Sequence, residues 1–217
     1  TLKNPTTTWG KYMGMNYEGD ILIAGDESRT GVYYKIQDMS WNLFGGINGE
    51  YIDPDEANTA GNVAISGHST FNTESEWYIA GQKIRIAIGS HLHNNNKGQI
   101  KVYEYMDPSF VQIGQTIMGI SGEELGSKIK LNTDGSILTV LSPLGDNAGE
   151  DAGTLQIYKY DEVGGSWYKL DLIDANTQSM KGNTTEFNLR NENVFGMMDN
   201  NRIVIGYPDA SSNYGIT

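Results

Sequence analysis

An all-β fold, built from short antiparallel strands in a repeated four-strand unit, is the architecture that this sequence predicts. Three observations predict it. The 217 residues include 27 glycines and only 5 prolines, a balance that favours many tight turns over collagen-like or low-complexity chain. Short runs such as "ILIAG", "IRIAIG", "GQIKVYEY" and "GTLQIYKY" are rich in β-formers, several alternating with period two, and glycine, Asp and Asn bound them. The same phrases then return along the chain. Hydrophobic residues make up 38%, with 13 Tyr and 4 Trp, so the aromatics can supply much of the buried area that sheets need.

The elements justify this reading in order. "WGKYMGMNYEGDILIAGD" from Trp9 reads as strand, turn and strand, and Glu18-Gly19 marks a two-residue hairpin in which glycine supplies the positive φ. "GVYYKI" from Gly31 is a third strand, and Trp41 in "MSWNLFGG" opens a fourth that closes a hairpin on it. A looser copy of the first pair follows from Ala60 with a lengthened turn, ending in "IRIAIG". "GQIKVYEY" from Gly98 and Phe110 in "PSFVQIG" repeat the outer hairpin.

"LGSKIKLNTDGSILTVLSP" from Leu125 aligns without a gap on the Trp9 phrase: Gly10 with Gly126, Met13 with Ile129, Met15 with Leu131, Gly19 with Gly135 and Leu22 with Leu138. "GTLQIYKY" from Gly153 and Trp167 in "GSWYKLDL" give the third outer hairpin. A fourth copy of the first pair is expected from Lys181, again with a lengthened turn, and "GIT" at Gly215 begins another outer strand. Starts at Gly31, Gly98, Gly153 and Gly215 lie 67, 55 and 62 residues apart.

Four antiparallel strands per repeat, arrayed several times, fit the blades of a β-propeller. A β-sandwich also has many short strands, but its strands need not resemble one another, whereas units stacked on similar neighbours keep one pattern. One propeller-like domain over 1–217 is therefore expected, with units 1–59, 60–124, 125–180 and 181–217. Tyr103, Tyr105, Tyr158, Tyr160, Trp41 and Trp167 are assigned mainly to the core between sheets. The chain opens on the middle pair of one unit and stops as another outer strand begins, so an incomplete ring is expected, completed by further chain or by another subunit.

In these phrases the chain resembles the FG-GAP, or integrin-α-like, propeller repeat, especially divergent arrays from large surface proteins of marine microbes and their viruses. "WG" at Trp9 and "LG" at Leu125 stand where that family has Phe-Gly, and "IGYP" at Ile205 where it has Gly-Ala-Pro. The family's calcium loop departs: "NYEGD" and "NTDGS" are too short and too poor in carboxylates to supply six or more oxygens.

Charge excludes some partners. The formal net charge is −12, with 27 acids against 15 bases and no basic patch, which argues against nucleic acid and against anionic membrane surfaces. No apolar run is long enough to span a bilayer. No cysteine is present, which excludes disulfides, thiolate metal sites and a cysteine nucleophile. Asn183-Thr184-Thr185 is a glycosylation triplet of a kind common by chance.

Candidate chemistry is sparse. His91 and His93 in "SHLHNNNKG" would share a face on a strand and could pair on a metal, but no third ligand is evident and a solvated loop is preferred. Asp146, Glu150 and Asp151 lie in the glycine-rich loop 144–153, which could hold calcium but matches no known spacing and reads better as an acidic turn. "EYIDPDEA", Glu50 to Ala57, offers carboxylates of the type that hydrolyse glycosides, without fixed geometry. His68 in "ISGHST" has no carboxylate at a triad spacing, and neither a G-x-S-x-G elbow nor a phosphate loop occurs. The sequence thus assigns no catalytic, cofactor-binding or metal residue and no cofactor. It favours a non-catalytic extracellular, cell-surface or virion-surface module that binds protein or glycan through its loops, as the resemblance implies. The alternative is a structural subunit of a virion, fibre or filament, with a glycan-active enzyme third.

Overall fold

The structure is a computed structural model, and it describes residues 10–26, 30–35, 41–44, 62–66, 83–106, 109–146, 153–174, 195–197 and 202–205. These form antiparallel sheets in chain order. Sheet one is β1 (Tyr12–Met15), β2 (Ile21–Gly25), β3 (Thr30–Lys35) and β4 (Trp41–Phe44), each strand paired to the next. Sheet two is β5 (Asn62–Ile65), β6 (Arg85–Ser90), β7 (Gln99–Met106) and β8 (Ser109–Gln112), with the short β9 (Ile117–Met118) also paired to β7. Sheet three is β10 (Lys128–Leu131), β11 (Ile137–Ser142), β12 (Thr154–Asp161) and β13 (Ser166–Asp174). Finally β14 (Phe195–Met197) pairs with β15 (Ile203–Ile205). First strands of successive sheets adjoin: β1 lies against β5, β5 against β10, and β10 against β14.

Alternation along each strand builds two apolar layers. Ile86 of β6 and Val63 and Ile65 of β5 pack with Ile21, Ile23 and Val32 of sheet one. Ala87 and Ala64, one residue out of phase with them, join Ile129, Leu131, Leu138 and Val140 of sheet three. Sheet two is therefore covered on both faces, which is why all six residues of β6 are buried and why it reads as an apolar run rather than a half-polar strand. Full burial of one such side chain contributes about 1.5–3 kcal/mol, so these layers dominate the stability.

The expected aromatic role holds for five of the six residues. Tyr158 and Trp167 belong to the layer between sheets two and three with Tyr160 against it, while Tyr103 and Tyr105 pack on the layer between sheets one and two. The second and third outer hairpins set a tyrosine opposite an aromatic: Tyr105 meets Phe110 edge-on at 5.4 Å, and Tyr160 meets Trp167 at 5.1 Å. Trp41 is half-buried and pairs with Lys35 instead.

Three details correct the sequence reading. The inner hairpins are four-residue loops, 17–20 and 133–136, and not two-residue turns. Gly19 and Gly135 do take positive φ (+73° and +70°), but asparagine closes each loop. Asn16 Oδ1 accepts from the N–H of Ile21 (2.9 Å), and Asn132 Oδ1 from that of Ile137 (2.8 Å). At the equivalent place Ser66 Oγ accepts from the N–H of Arg85 (2.9 Å), closing the lengthened turn of the second copy.

The first outer strand is also shifted. Tyr33 pairs with Leu22 as Tyr103 pairs with Ile86 and Tyr158 with Leu138, so Gly31 stands level with Lys101 and Gln156, not with Gly98 and Gly153. In the fourth copy, the strand before Ile203 is Phe195–Met197, joined by 198–202, so the lengthened turn expected there is a short connection.

Candidate functional site

Antiparallel connection gives the sheets two ends with different chemistry. One carries the inner hairpin loops and the β12–β13 turn. Here Arg85, only 1% exposed, opens β6 in the position that Ile137 takes in β11. Its Nε donates to Glu104 Oε2 across the β6–β7 pair (2.8 Å), Nη2 donates to Glu162 Oε1 (2.8 Å), and Nη1 reaches the carbonyl of Gly135 (3.3 Å). The guanidinium lies 4.7 Å from the ring centre of Tyr160. Lys83 also holds Glu162.

Burial works against the charge of Glu162, but hydrogen bonds and charge from Lys83 and Arg85 outweigh it and lower the carboxyl pKa. Asp134 is lowered too: against burial, bonds from Ser136 and Asn132 and the charge of Arg85 prevail. This knot fastens sheet three to sheet two, and its charges already face one another.

The other end carries the β2–β3, β6–β7 and β11–β12 connections and the linker between sheets two and three. Most buried polar side chains outside the loop closures and the Arg85 knot gather here: Asp26, Thr30, Ser90, Gln99, Lys101, Glu123, Ser142, Thr154 and Gln156. Ser142, Thr154 and Gln156 share a face with Tyr158, turned toward sheet two. Ser90, Gln99 and Lys101 repeat that arrangement one sheet earlier, beside Tyr103.

The group holds two buried acids, Asp26 at 2% exposure and Glu123 at 6%, and it is Glu123 that lies on the linker beside sheet three. Its Oε1 accepts from Gln156 Nε2 (2.9 Å) and its Oε2 from the Ile120 N–H (3.1 Å). Gln156 Oε1 in turn accepts from the Tyr158 hydroxyl (2.6 Å). Burial, and then the charge of Glu123, push the Tyr158 pKa up to about 12. Tyr158 is therefore a neutral donor at ordinary pH that orients the amide, and the amide presents its N–H to the carboxylate. Both oxygens of the Glu123 carboxylate are thus held in place by neutral donors.

The linker that carries Glu123 is braced by close backbone contact. Gly98 and Leu125 form a parallel bridge, and the Glu124 N–H donates to the Asn96 carbonyl (2.8 Å). Gly126, at φ +92°, touches Gly89: a β-carbon on Gly89 would lie 2.3 Å from the Gly126 carbonyl oxygen. Leu125 beside it is wholly buried. The "LG" phrase thus sets an anchor and a close approach where one sheet passes to the next.

His91 and His93 do not share a strand face. They lie in the connection after β6, where Asn94, Asn95 and Asn96 take left-handed angles (φ 50°, 59° and 60°), a conformation that asparagine tolerates better than most residues. Among the described residues no group of three metal-ligating side chains occurs. Asp146 is exposed in the connection that follows β11. Glu150, Asp151, Glu50 to Ala57, His68, Asn183 to Thr185 and Gly215 lie outside the described residues. Sequence reasoning missed Glu123 and Arg85; the one signal for Arg85 was a charge inside an apolar run.

No protein-family model matches the chain, and no curated protein matches it. Among solved structures, it is similar to a crystal structure from Bacteroides uniformis described as a "putative 6-phosphogluconolactonase". The TM-score is 0.55 at 16% identity, over 94% of this chain and 49% of that one. The chain spans about half the length of this neighbour. The likeness is one of fold, and it corrects two expectations. The non-catalytic recognition or structural module gives way, and so does the reading of no enzyme: this strand arrangement is shared with a protein described as a catalyst. The lack of a short catalytic motif carries little weight where, as at Glu123 and Gln156, the partners lie 33 residues apart.

Proposed function

We propose that the sheets are consecutive blades of a β-propeller, and that the protein is a hydrolase of a sugar-derived lactone or related cyclic ester. The adjoining of first strands, β1 to β5 to β10 to β14, supports the ring arrangement. The likeness in fold to a structure described as a "putative 6-phosphogluconolactonase" is the observation that carries the reaction class.

Glu123 is the residue assigned to the chemistry. Its carboxylate accepts a proton from water as the oxygen adds to the lactone carbonyl carbon. The ring C–O bond then breaks, and the ring oxygen leaves with a proton as the hydroxyl of the open-chain acid. Gln156 and Tyr158 position the carboxylate. The substrate is taken to be uncharged, because a net charge of −12 repels a phosphorylated sugar, and Arg85 and Lys83 are engaged with Glu104 and Glu162.

Acid release from glucono-δ-lactone and from its 6-phosphate, followed at constant pH, tests this. Hydrolysis of the uncharged lactone above the spontaneous rate is expected, reduced about 100-fold or more in Glu123→Gln, with a melting curve to show that the variant is folded. A rate equal to the spontaneous one on both lactones, or a folded Glu123→Gln of full activity, would overturn the reading.

A further inference from the structure

Two buried polar groups line the interface between sheets one and two at the end that carries the β2–β3 and β6–β7 connections. The Thr30 hydroxyl and the Gln99 amide nitrogen find no hydrogen-bond partner among the described residues, although Thr30 is 0% and Gln99 4% exposed. An unpaired polar group in the interior is costly, so two at one place call for an occupant. Both look into the same interface. Thr30 stands two residues before Val32, which packs with Ile86 of sheet two, so alternation points both side chains that way. Gln99 stands four residues before Tyr103, which packs on the same layer, and its strand partner Ser90 stands four after Ile86. Their heights agree as well. Tyr33 pairs with Leu22 as Tyr103 pairs with Ile86, which sets Thr30 level with Ile100, one residue from Gln99. Facing sheets lie only about 10 Å apart, so one small molecule can touch both.

We propose that this interface binds a small uncharged sugar or polyol, with Thr30 and Gln99 holding its hydroxyls. The inference is independent of the lactone chemistry, whose residues lie beyond the other face of sheet two. The chemistry of the two groups selects the ligand. An amide N–H donates and a hydroxyl both donates and accepts, which matches a ligand hydroxyl that does both in turn. The net charge of −12 disfavours an anion there. A way in exists: Ser90, Gln99 and Met118 are partners across β6, β7 and β9 and share one face, and exposure rises along them from 2% and 4% to 47%. The row thus opens to solvent at Met118. The corresponding interface between sheets two and three needs no occupant. Ile100 stands there in the place of Thr30 and joins the apolar layer, and Glu123 reaches from the linker to Gln156 in the row of Ser142 and Thr154.

Titration calorimetry on the full chain gives the test, with glucose and sorbitol as probes and glucuronate as the charged counterpart. Saturable binding of a neutral probe is expected, with glucuronate weaker. In Thr30→Val/Gln99→Met the affinity should fall about tenfold or more, as the loss of two ordinary hydrogen bonds implies. The melting temperature of that variant without ligand should stay the same or rise, because apolar groups of like shape replace unpaired polar ones. Glu123→Gln should bind as the unaltered chain does, which sets this site apart from the one between sheets two and three. No saturable binding of either neutral probe would overturn the proposal, as would undiminished binding in the double variant or loss of binding in Glu123→Gln. Tighter binding of glucuronate would overturn the uncharged ligand. A lower melting temperature of the ligand-free double variant would show that the two groups serve the fold, and it too would overturn the assignment.

Discussion

Arg85 shows how much one side chain can organise. It is buried with a planar donor fork, and its carboxylate partners differ in worth. Glu104 is 15% exposed and pays for burial if left alone, whereas Glu162 is 47% exposed, so solvent screens its share. Arg85→Met should therefore cost about 3 kcal/mol, chiefly through Glu104. Arg85→Met/Glu104→Met should cost less than the single variant, because it removes the stranded charge. Urea unfolding of the variants checks both, and a double variant weaker than Arg85→Met would show that the guanidinium acts through other contacts. The role was only partly legible: in "IRIAIG" Arg85 is a lone charge in an apolar run, and its partners Glu104 and Glu162 meet it only across strands and sheets. Glu123 was hidden for a similar reason, since Gln156 meets it only after the linker has folded over β12.

Among the elements, the inner hairpin was the most legible, and its closure the least. "DG" and "EG" pointed to the right turn, and the gapless match of Leu125 to Trp9 aligned the right strands. The asparagines inside the matched phrases, Asn16 and Asn132, looked like ordinary turn residues, yet each binds the N–H that opens the next strand. Ser66 does the same work, so the requirement is an acceptor at that place and not a particular side chain. Asn132→Ala should lower stability by about 1–2 kcal/mol, and Asn132→Ser should lose less, measured by thermal unfolding. Equal losses would assign the effect to packing. The shifted register at Gly31 has a related cause. A glycine before a strand is a weak marker of position, whereas pairing with Leu22 fixes the strand, because a slip would expose the residues of its buried face.

For the molecule as a whole, acid should part sheets two and three before base does. The carboxyls of Glu162 and Asp134 have lowered pKa values, so in the unfolded chain they take up protons at a higher pH than in the folded one. Their stabilisation is present above the unfolded values, about 3.9 for Asp and 4.3 for Glu, and is lost as pH falls through the lower folded values. Melting temperatures recorded from pH 6 down to 2 should fall below about pH 4, and the fall should be shallower in a Glu162→Gln variant. An identical slope in that variant would remove Glu162 from the account. The sheets and their order were readable because alternation and repetition are local. The partner surfaces, and with them the corrected function, were not, because they depend on which faces meet.

The closure by Ser66 has a consequence for how such a chain can grow. Asn16 closes its loop across four residues and Ser66 across residues 67–84, yet the hydrogen bond to the next strand is the same. Lengthening a flexible connection costs only about 0.6 kcal/mol for each doubling. The same closure therefore serves connections of very different length, and the second hairpin is a port at which foreign sequence can be grafted while the hydrogen bond from Arg85 to Ser66 keeps the strands in register.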